Sequence, residues 1–152
     1  MPTALVIDRA RAEDVAAIVA LLADDVLGSQ REDPDDHASY LAAFEVIDAD
    51  PHQFLAVARR DGRVVATLQL TILPGLSHRG ATRAQVEGVR VHADERGSGL
   101  GSEMMAWAEA EARGRGAEML QLTSDSARGD AHRFYVGLGY AASHVGFKKR
   151  LA

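Results

Sequence analysis

Arg96-Gly97-Ser98-Gly99-Leu100-Gly101 follows an apolar, strand-like run from Ala84 to Val91 and opens a helix-like run from about Gly99 to Arg113. A strand, a glycine loop and a helix start in that order form an anion cradle. The first N–H groups of the helix lack intrahelical partners, the dipole favours negative charge, and glycines let a ligand approach the main chain. The stretch therefore predicts a phosphate-bearing ligand. Two common phosphate motifs are excluded. The GxGxxG dinucleotide fingerprint started at Gly97 needs a third glycine where Ser102 stands, and no Gly-Lys-Ser/Thr of a Walker loop is present.

Working outward, the helix meets stop signals at Gly114 and Gly116, with Arg113 and Arg115 near its C-terminal end. Met119 to Thr123 reads as a strand and Asp130 to Val136 as a short helix. Gly139-Tyr140 then turns into a last strand ending near Lys149. Toward the N-terminus, Ala4 to Ile7 is a strand, and Glu13-Asp14 open a helix with Val15, Ile18, Val19, Leu22 and Val26 at helical spacing, stopped by Gly28. Ser29 to Asp36 is a loop, and Tyr40, Leu41, Phe44 and Ile47 mark a second helix. Phe54 to Ala58 and Val64 to Leu73 flank Asp61-Gly62 as a hairpin, and Pro74 to Gly80 is a loop. The order β-α-α-β-β-β-α-β-α-β holds one βαβ passage and a central hairpin. It predicts a mixed α+β sheet rather than a doubly wound one.

At 152 residues and 47% apolar, the chain is expected to form one domain over residues 1–152. A net charge of −5 argues against nucleic acid or a membrane surface as partner. The absence of cysteine excludes disulfides, thiolate metal sites and a cysteine acyl-enzyme. His37, His52, His78, His92, His132 and His144 are too scattered to predict a metal site. No apolar run reaches about 18 residues, and Met1-Pro2-Thr3 lacks a signal-peptide pattern, so the expected location is cytoplasmic.

Arg96-x-x-Gly99-x-Gly101 resembles the Q/R-x-x-G-x-G/A acyl-CoA loop of the GCN5-related N-acetyltransferase (GNAT) family. Ala131-His132-Arg133-Phe134-Tyr135, followed by Gly137-Leu138-Gly139-Tyr140, resembles a second signature of that family. Ala106-Trp107-Ala108-Glu109, Gly116-Ala117-Glu118-Met119 and Asp130 to Tyr135 are most similar to its aminoalkylphosphonate N-acetyltransferase branch. The resemblance implies a GNAT fold: a central mixed, mostly antiparallel sheet of six to seven strands flanked by about four helices. It also implies acetyl-CoA as acyl-donor cosubstrate, a small-molecule amine as acceptor and a possible homodimer.

Carried onto this sequence, the resemblance makes Glu87 the candidate general base and Tyr135 the candidate acid for the departing thiolate. Each has a plain alternative: Glu87 as a solvated strand carboxylate, Tyr135 as packing for the last helix. Val86 lies on one alternation face of its strand, whereas Val89 and Val91 lie on the other, with Gly88 between. A glycine at a phase slip suggests a β-bulge, or a residue that merely relieves packing. In the family that place holds the thioester carbonyl and pantetheine, which makes Val89, Arg90 and Val91 binding candidates. Arg96, Gly97, Ser98, Gly99, Leu100, Gly101 and Ser102 are the expected pyrophosphate site, with Glu103 facing away. Asp125 and His132 are candidate cofactor contacts. A hydrolase triad of Ser124, Asp125 and His132 is rejected because no nucleophile elbow surrounds Ser124. Asp33 to Tyr40, the Leu73 to Arg83 loop and the last hairpin are expected around the acceptor, with His78, Arg79 and Arg83 supplying positive charge. A non-catalytic acyl-CoA sensor on the same fold is the alternative function, and a nucleotide-binding oxidoreductase is a poorer fit to the glycine spacing.

Overall fold

The computed structural model describes residues 4–152 and falls into two compact units, the first ending at Gln121 and the second spanning Leu122–Ala152. The first unit is built on one sheet of order β1-β2-β3-β4-β5: β1 (Leu5–Arg9), β2 (Gln53–Arg60), β3 (Arg63–Leu73), β4 (Thr82–Val91) and β5 (Ala117–Leu122). The first four strands pair antiparallel in sequence order. Asp61 and Gly62, with φ of 54° and 75°, make the β2–β3 turn, the left-handed geometry for which Asp-Gly is suited. β5 joins after a helical crossover, which makes the sheet mixed.

Strand alternation assigns the two faces. Phe54, Leu70 and Val86 form one cross-strand row, and Leu68 and Ala84 share their side. This face packs on α5 (Leu100–Gly114), whose Leu100, Met104, Met105, Ala108 and Ala112 are buried and recur about every turn. Trp107 meets Phe54 at a ring-centroid distance of 5.1 Å. Complete burial of a side chain such as Leu68 or Leu70 contributes roughly 1.5–3 kcal/mol. The opposite face carries Val57 and Leu55 against α1 (Val15–Ala23) and α3 (His37–Ala49), where Val15, Ile18, Val19 and Phe44 form a second core cluster.

One buried ion pair fixes the start of α1. Both guanidinium nitrogens Nη1 and Nη2 of Arg59 donate to the Asp14 carboxylate, at 2.6 and 2.5 Å, and the Arg11 N–H donates to the same carboxylate at 2.8 Å. The Asp14 and Arg59 side chains are only 5% and 12% exposed. Hydrogen bonding from Arg59 holds the Asp14 carboxyl below its usual range against the opposing effect of burial, and Asp14 in turn raises the guanidinium.

The fold is the expected α+β arrangement, with differences at three places. The first long helix breaks at Asp24, and α2 (Val26–Arg31) begins at once because the Asp25 carboxylate accepts the Gly28 N–H and caps it. Gly28 lies inside α2 instead of ending α1, and a Cβ there would fall 1.9 Å from the Leu22 carbonyl oxygen. Ser77–Gly80 (α4) is a single turn in the expected loop, with His78 and Arg79 left-handed at φ 54° and 60°. The third difference is at the C-terminus. α6 (Gly129–Gly137) forms as expected, but residues 140–152 make no strand, so the described sheet has five strands rather than six or seven. The described residues form six α-helices where about four were expected.

Candidate active site

The phase slip at Gly88 is a β-bulge. Gln69 pairs with Glu87 and Thr67 with Arg90, so Leu68 alone faces both Gly88 and Val89. Gly88 has φ +63°, and a Cβ there would stand 3.6 Å from Leu22 Cδ2 at the end of α1. The bulge opens a cleft of about 50 Å³ lined by Ile18, Leu22, Leu55, Gln69, Glu87 and Gly88. Glu87 is exposed, and its carboxylate makes no hydrogen bond or ion pair among the described residues. Such a group is available to a ligand in the cleft. A larger hollow of about 290 Å³, between the start of α1 and Pro34–Leu41, contains none of the candidate catalytic or cofactor residues.

Strand register places a polar surface beside Glu87. Leu55, Gln69 and Glu87 share one cross-strand row, and Gln53, Thr71 and Gln85 share the next. Gln53 Oε1 accepts from both Gln69 and Thr71 at 2.8 Å. Gln121 of β5 donates to Gln85 at 3.1 Å and accepts from Arg83 Nη1 at 3.1 Å. The half-buried Arg83 has no carboxylate partner among the described residues. Its positive charge is therefore held near Gln85, on the face that carries Glu87.

The glycine loop is braced from two sides. A short 3₁₀ turn, Ala93–Glu95, precedes it, with Glu95 paired to Arg60 at 3.1 Å and the His92 N–H donated to Val65 at 2.8 Å. Gly97 and Gly99 take φ of 81° and 85°, which side-chain-bearing residues adopt only at a cost. The first main-chain bond of α5 runs from the Glu103 N–H to the Gly99 carbonyl at 3.1 Å, and no side chain caps the helix. The N–H groups of Leu100, Gly101 and Ser102 precede that bond and are the donors an anion would use. Glu103 is exposed. Arg96 lies against the end of α1, with Nη2 3.3 Å from Asp24 Oδ2, in an exposed pair. Arg90 of β4 approaches Asp25, the residue after Asp24, at 3.6 Å. Asp24, Asp25, Leu22 and Gln69 are thus site neighbours that sequence reading did not single out.

The other candidates lie in the second unit. Asp125 shapes a turn there: its carboxylate accepts the Ala127 N–H at 2.9 Å and its carbonyl the Arg128 N–H at 2.9 Å. His132 Nε2 lies 2.8 Å from the same carbonyl. Tyr135 sits edge-on to Phe134 and Tyr140 at 5.1 and 6.0 Å, and its carbonyl accepts the Tyr140 N–H.

A bulged strand, a glycine loop and an uncapped helix, in that order, match the acetyltransferase (GNAT) family, whose sequence model aligns with residues 6–140. The chain belongs to the GNAT acetyltransferase family. It is 34% identical over 142 residues to the aminoalkylphosphonate N-acetyltransferase of Salmonella typhimurium, covering 93% of this chain and 88% of that protein. Its structure is similar to that of a protein described as a transcriptional regulator from Bacillus halodurans, at 42% identity and TM-score 0.93, covering 97% of this chain and all of the other. The fold alone is shared with glucosamine-6-phosphate N-acetyltransferase from Arabidopsis thaliana, at 17% identity and TM-score 0.78, covering 98% and 99%. The GNAT protein is accordingly an acyltransferase that uses acetyl-CoA. Among its described residues no helix is long and apolar enough to cross a membrane, and no cluster of three ligating side chains could hold a metal ion.

Proposed function

We propose that this GNAT protein transfers the acetyl group of acetyl-CoA directly to the primary amine of a small anionic molecule, within a ternary complex. The observation that carries the reading is the cleft at the bulge, where the carboxylate of Glu87 and the interrupted backbone at Gly88 line one cavity. The two units act as one N-acetyltransferase domain, a reading supported by a family match that runs through both.

In this reading the N–H groups at the start of α5, with Arg96 and the loop glycines, bind the pyrophosphate, and the strand edge at Val89–Val91 holds the pantetheine chain. An alkylammonium has a pKa of about 10, so at neutral pH the acceptor must lose a proton before it can attack. Glu87 takes that proton, directly or through one water. The amine lone pair then forms a C–N bond to the thioester carbon while a backbone N–H at the bulge stabilises the carbonyl oxygen, a contribution of about 3–4 kcal/mol to the barrier. As the C–S bond breaks, the Tyr135 hydroxyl gives its proton to the sulfur, and the second proton that the nitrogen sheds returns through water to the phenolate. His132 and Asp125 shape the adjoining turn.

Arg83, held by Gln121 and unneutralised, supports a carboxylate or phosphonate on the acceptor. The description of the Salmonella typhimurium relative agrees with that chemistry. Initial-rate measurements on 2-aminoethylphosphonate, amino acids and uncharged alkylamines test the proposal. Intersecting double-reciprocal lines and a preference for anionic amines are expected, with Arg83→Gln raising their KM at least tenfold. Parallel lines, or preference for neutral or polycationic amines, would refute it. The description of the Bacillus halodurans relative favours one second reading, an acyl-CoA-binding regulatory module, in which acetyl-CoA binds but no amine promotes turnover.

A further inference from the structure

We infer, resting on the reading of this site as one for an anionic amine, that Gln85 is a second anion-binding residue beside Arg83, and that Gln121 is the positioning residue that turns the Gln85 amide donor-outward. The chemistry of the hydrogen-bond chain allows one arrangement. A guanidinium carries five N–H donors and no acceptor. Arg83 Nη1 therefore donates to Gln121 Oε1, at 3.1 Å, and the Gln121 amide nitrogen is left for another partner. That nitrogen donates to Gln85 Oε1, again at 3.1 Å, which commits the Gln85 oxygen to Gln121. The Gln85 Nε2 N–H groups have no protein partner among the described residues. Because Gln121 is neutral, the chain orients Gln85 without cancelling the charge of Arg83.

Strand register puts these donors one row from the reacting amine. Gln85 precedes Glu87 by two residues on β4 and shares its face, so the two rows stand about 7 Å apart. The Glu87 row is polarised the other way. Gln69 Nε2 donates to Gln53 Oε1 at 2.8 Å, where the Thr71 hydroxyl also donates. Gln69 Oε1 is thereby left as an acceptor, and Gln69 pairs in register with Glu87 and lines the same cleft. One row offers acceptors to an amine, and the next offers donors to an anion. A molecule that carries both groups a few bonds apart, such as an aminoalkylphosphonate, meets matching partners at each end. An alkylamine meets them at one end only.

Gln121→Glu tests the chain, because a carboxylate accepts from both sides. It pairs with Arg83 and draws in the Gln85 N–H groups, so that the Gln85 oxygen faces the site. Two measurements read the result: calorimetric titration of 2-aminoethylphosphonate into protein saturated with CoA, and initial rates with 2-aminoethylphosphonate and propylamine. Gln121→Glu and Gln85→Leu are each expected to weaken the phosphonate roughly tenfold or more, in Kd and in KM rather than kcat, and to weaken propylamine far less. Gln121→Met, which orients no amide, should weaken the phosphonate to a smaller extent and add little to Gln85→Leu. Equal weakening of both amines, full additivity of Gln121→Met with Gln85→Leu, or an unchanged Kd in Gln85→Leu would overturn the inference. Anionic-amine turnover that none of the variants disturbs would overturn it while leaving the transferase reading intact. Phosphonate binding that depends on both glutamines, in a protein that releases no thiol, would support it and refute the transferase reading. No phosphonate binding by the wild type would overturn both.

Discussion

Asp14→Asn tests how α1 is held above the bulge. The substitution leaves Arg59, 12% exposed, without its bidentate carboxylate, while Asp8 at 3.4 Å offers only partial replacement because its side chain is 49% exposed. Removing one member of a buried pair typically costs about 3–5 kcal/mol, and Asp8 places the expected loss near the lower end, about 3 kcal/mol. For a chain of this size that lowers Tm by roughly 6–12 °C. Urea unfolding followed by circular dichroism should show a lower midpoint with an unchanged m-value. The sign of the pH dependence follows from Asp14. Its carboxyl is held below the unfolded value, so its stabilisation is fully present above the unfolded pKa and is lost as pH falls through the lower folded one. The gap between wild type and variant should therefore be constant from pH 5 to 8 and narrow below about pH 4. Pairing Asp14→Asn with Arg59→Met should recover much of the loss, because no charge is then stranded. A loss under about 0.5 kcal/mol, or a gap that widens on acidification, would refute the reasoning.

Gly88→Ala places a Cβ at φ +63° and should cost about 1–2 kcal/mol by urea unfolding while raising the acetyl-CoA KM, whereas an unchanged stability would mean that the bulge relaxes freely. Ser102→Asp should act in opposite directions on stability and binding. A carboxylate in the first turn of α5 adds a few tenths of a kcal/mol to stability, yet it should weaken acetyl-CoA at least tenfold by calorimetry through repulsion of phosphate. Gly28→Ala should separate α1 from α2, lowering Tm by several degrees, because the new methyl would overlap the Leu22 carbonyl.

Features set by neighbouring residues were legible in the sequence. The glycines at 97 and 99 announced the loop before α5, Asp61-Gly62 announced its hairpin, and the slip between Val86 and Val89 announced the bulge. Even the polar side of β3 is visible as Thr67, Gln69 and Thr71 alternating with Leu68, Leu70 and Ile72. Register decides the rest. Nothing in one dimension pairs Asp14 with Arg59, 45 residues away, or sets Gln121 between Gln85 and Arg83. Gly28 misled as a helix stop because its role is close approach to the Leu22 carbonyl, a contact across the α1–α2 break. The alternation at residues 143–151 is equally visible, but alternation requires a partner strand to become a strand, and the described chain pairs none with it.

The central claim is that the cleft at Gly88 catalyses acetyl transfer to an amine with Glu87 as base. Thiol release from acetyl-CoA with 2-aminoethylphosphonate, measured across pH for the wild type, Glu87→Gln and Tyr135→Phe, tests it most directly. Amine-dependent release is expected in the wild type. Glu87→Gln should lower kcat by about 10²–10⁴-fold and recover part of it at high pH, where the free amine no longer needs a base. Full activity in Glu87→Gln, or tight acetyl-CoA binding with no amine-dependent release from the wild type, would contradict it.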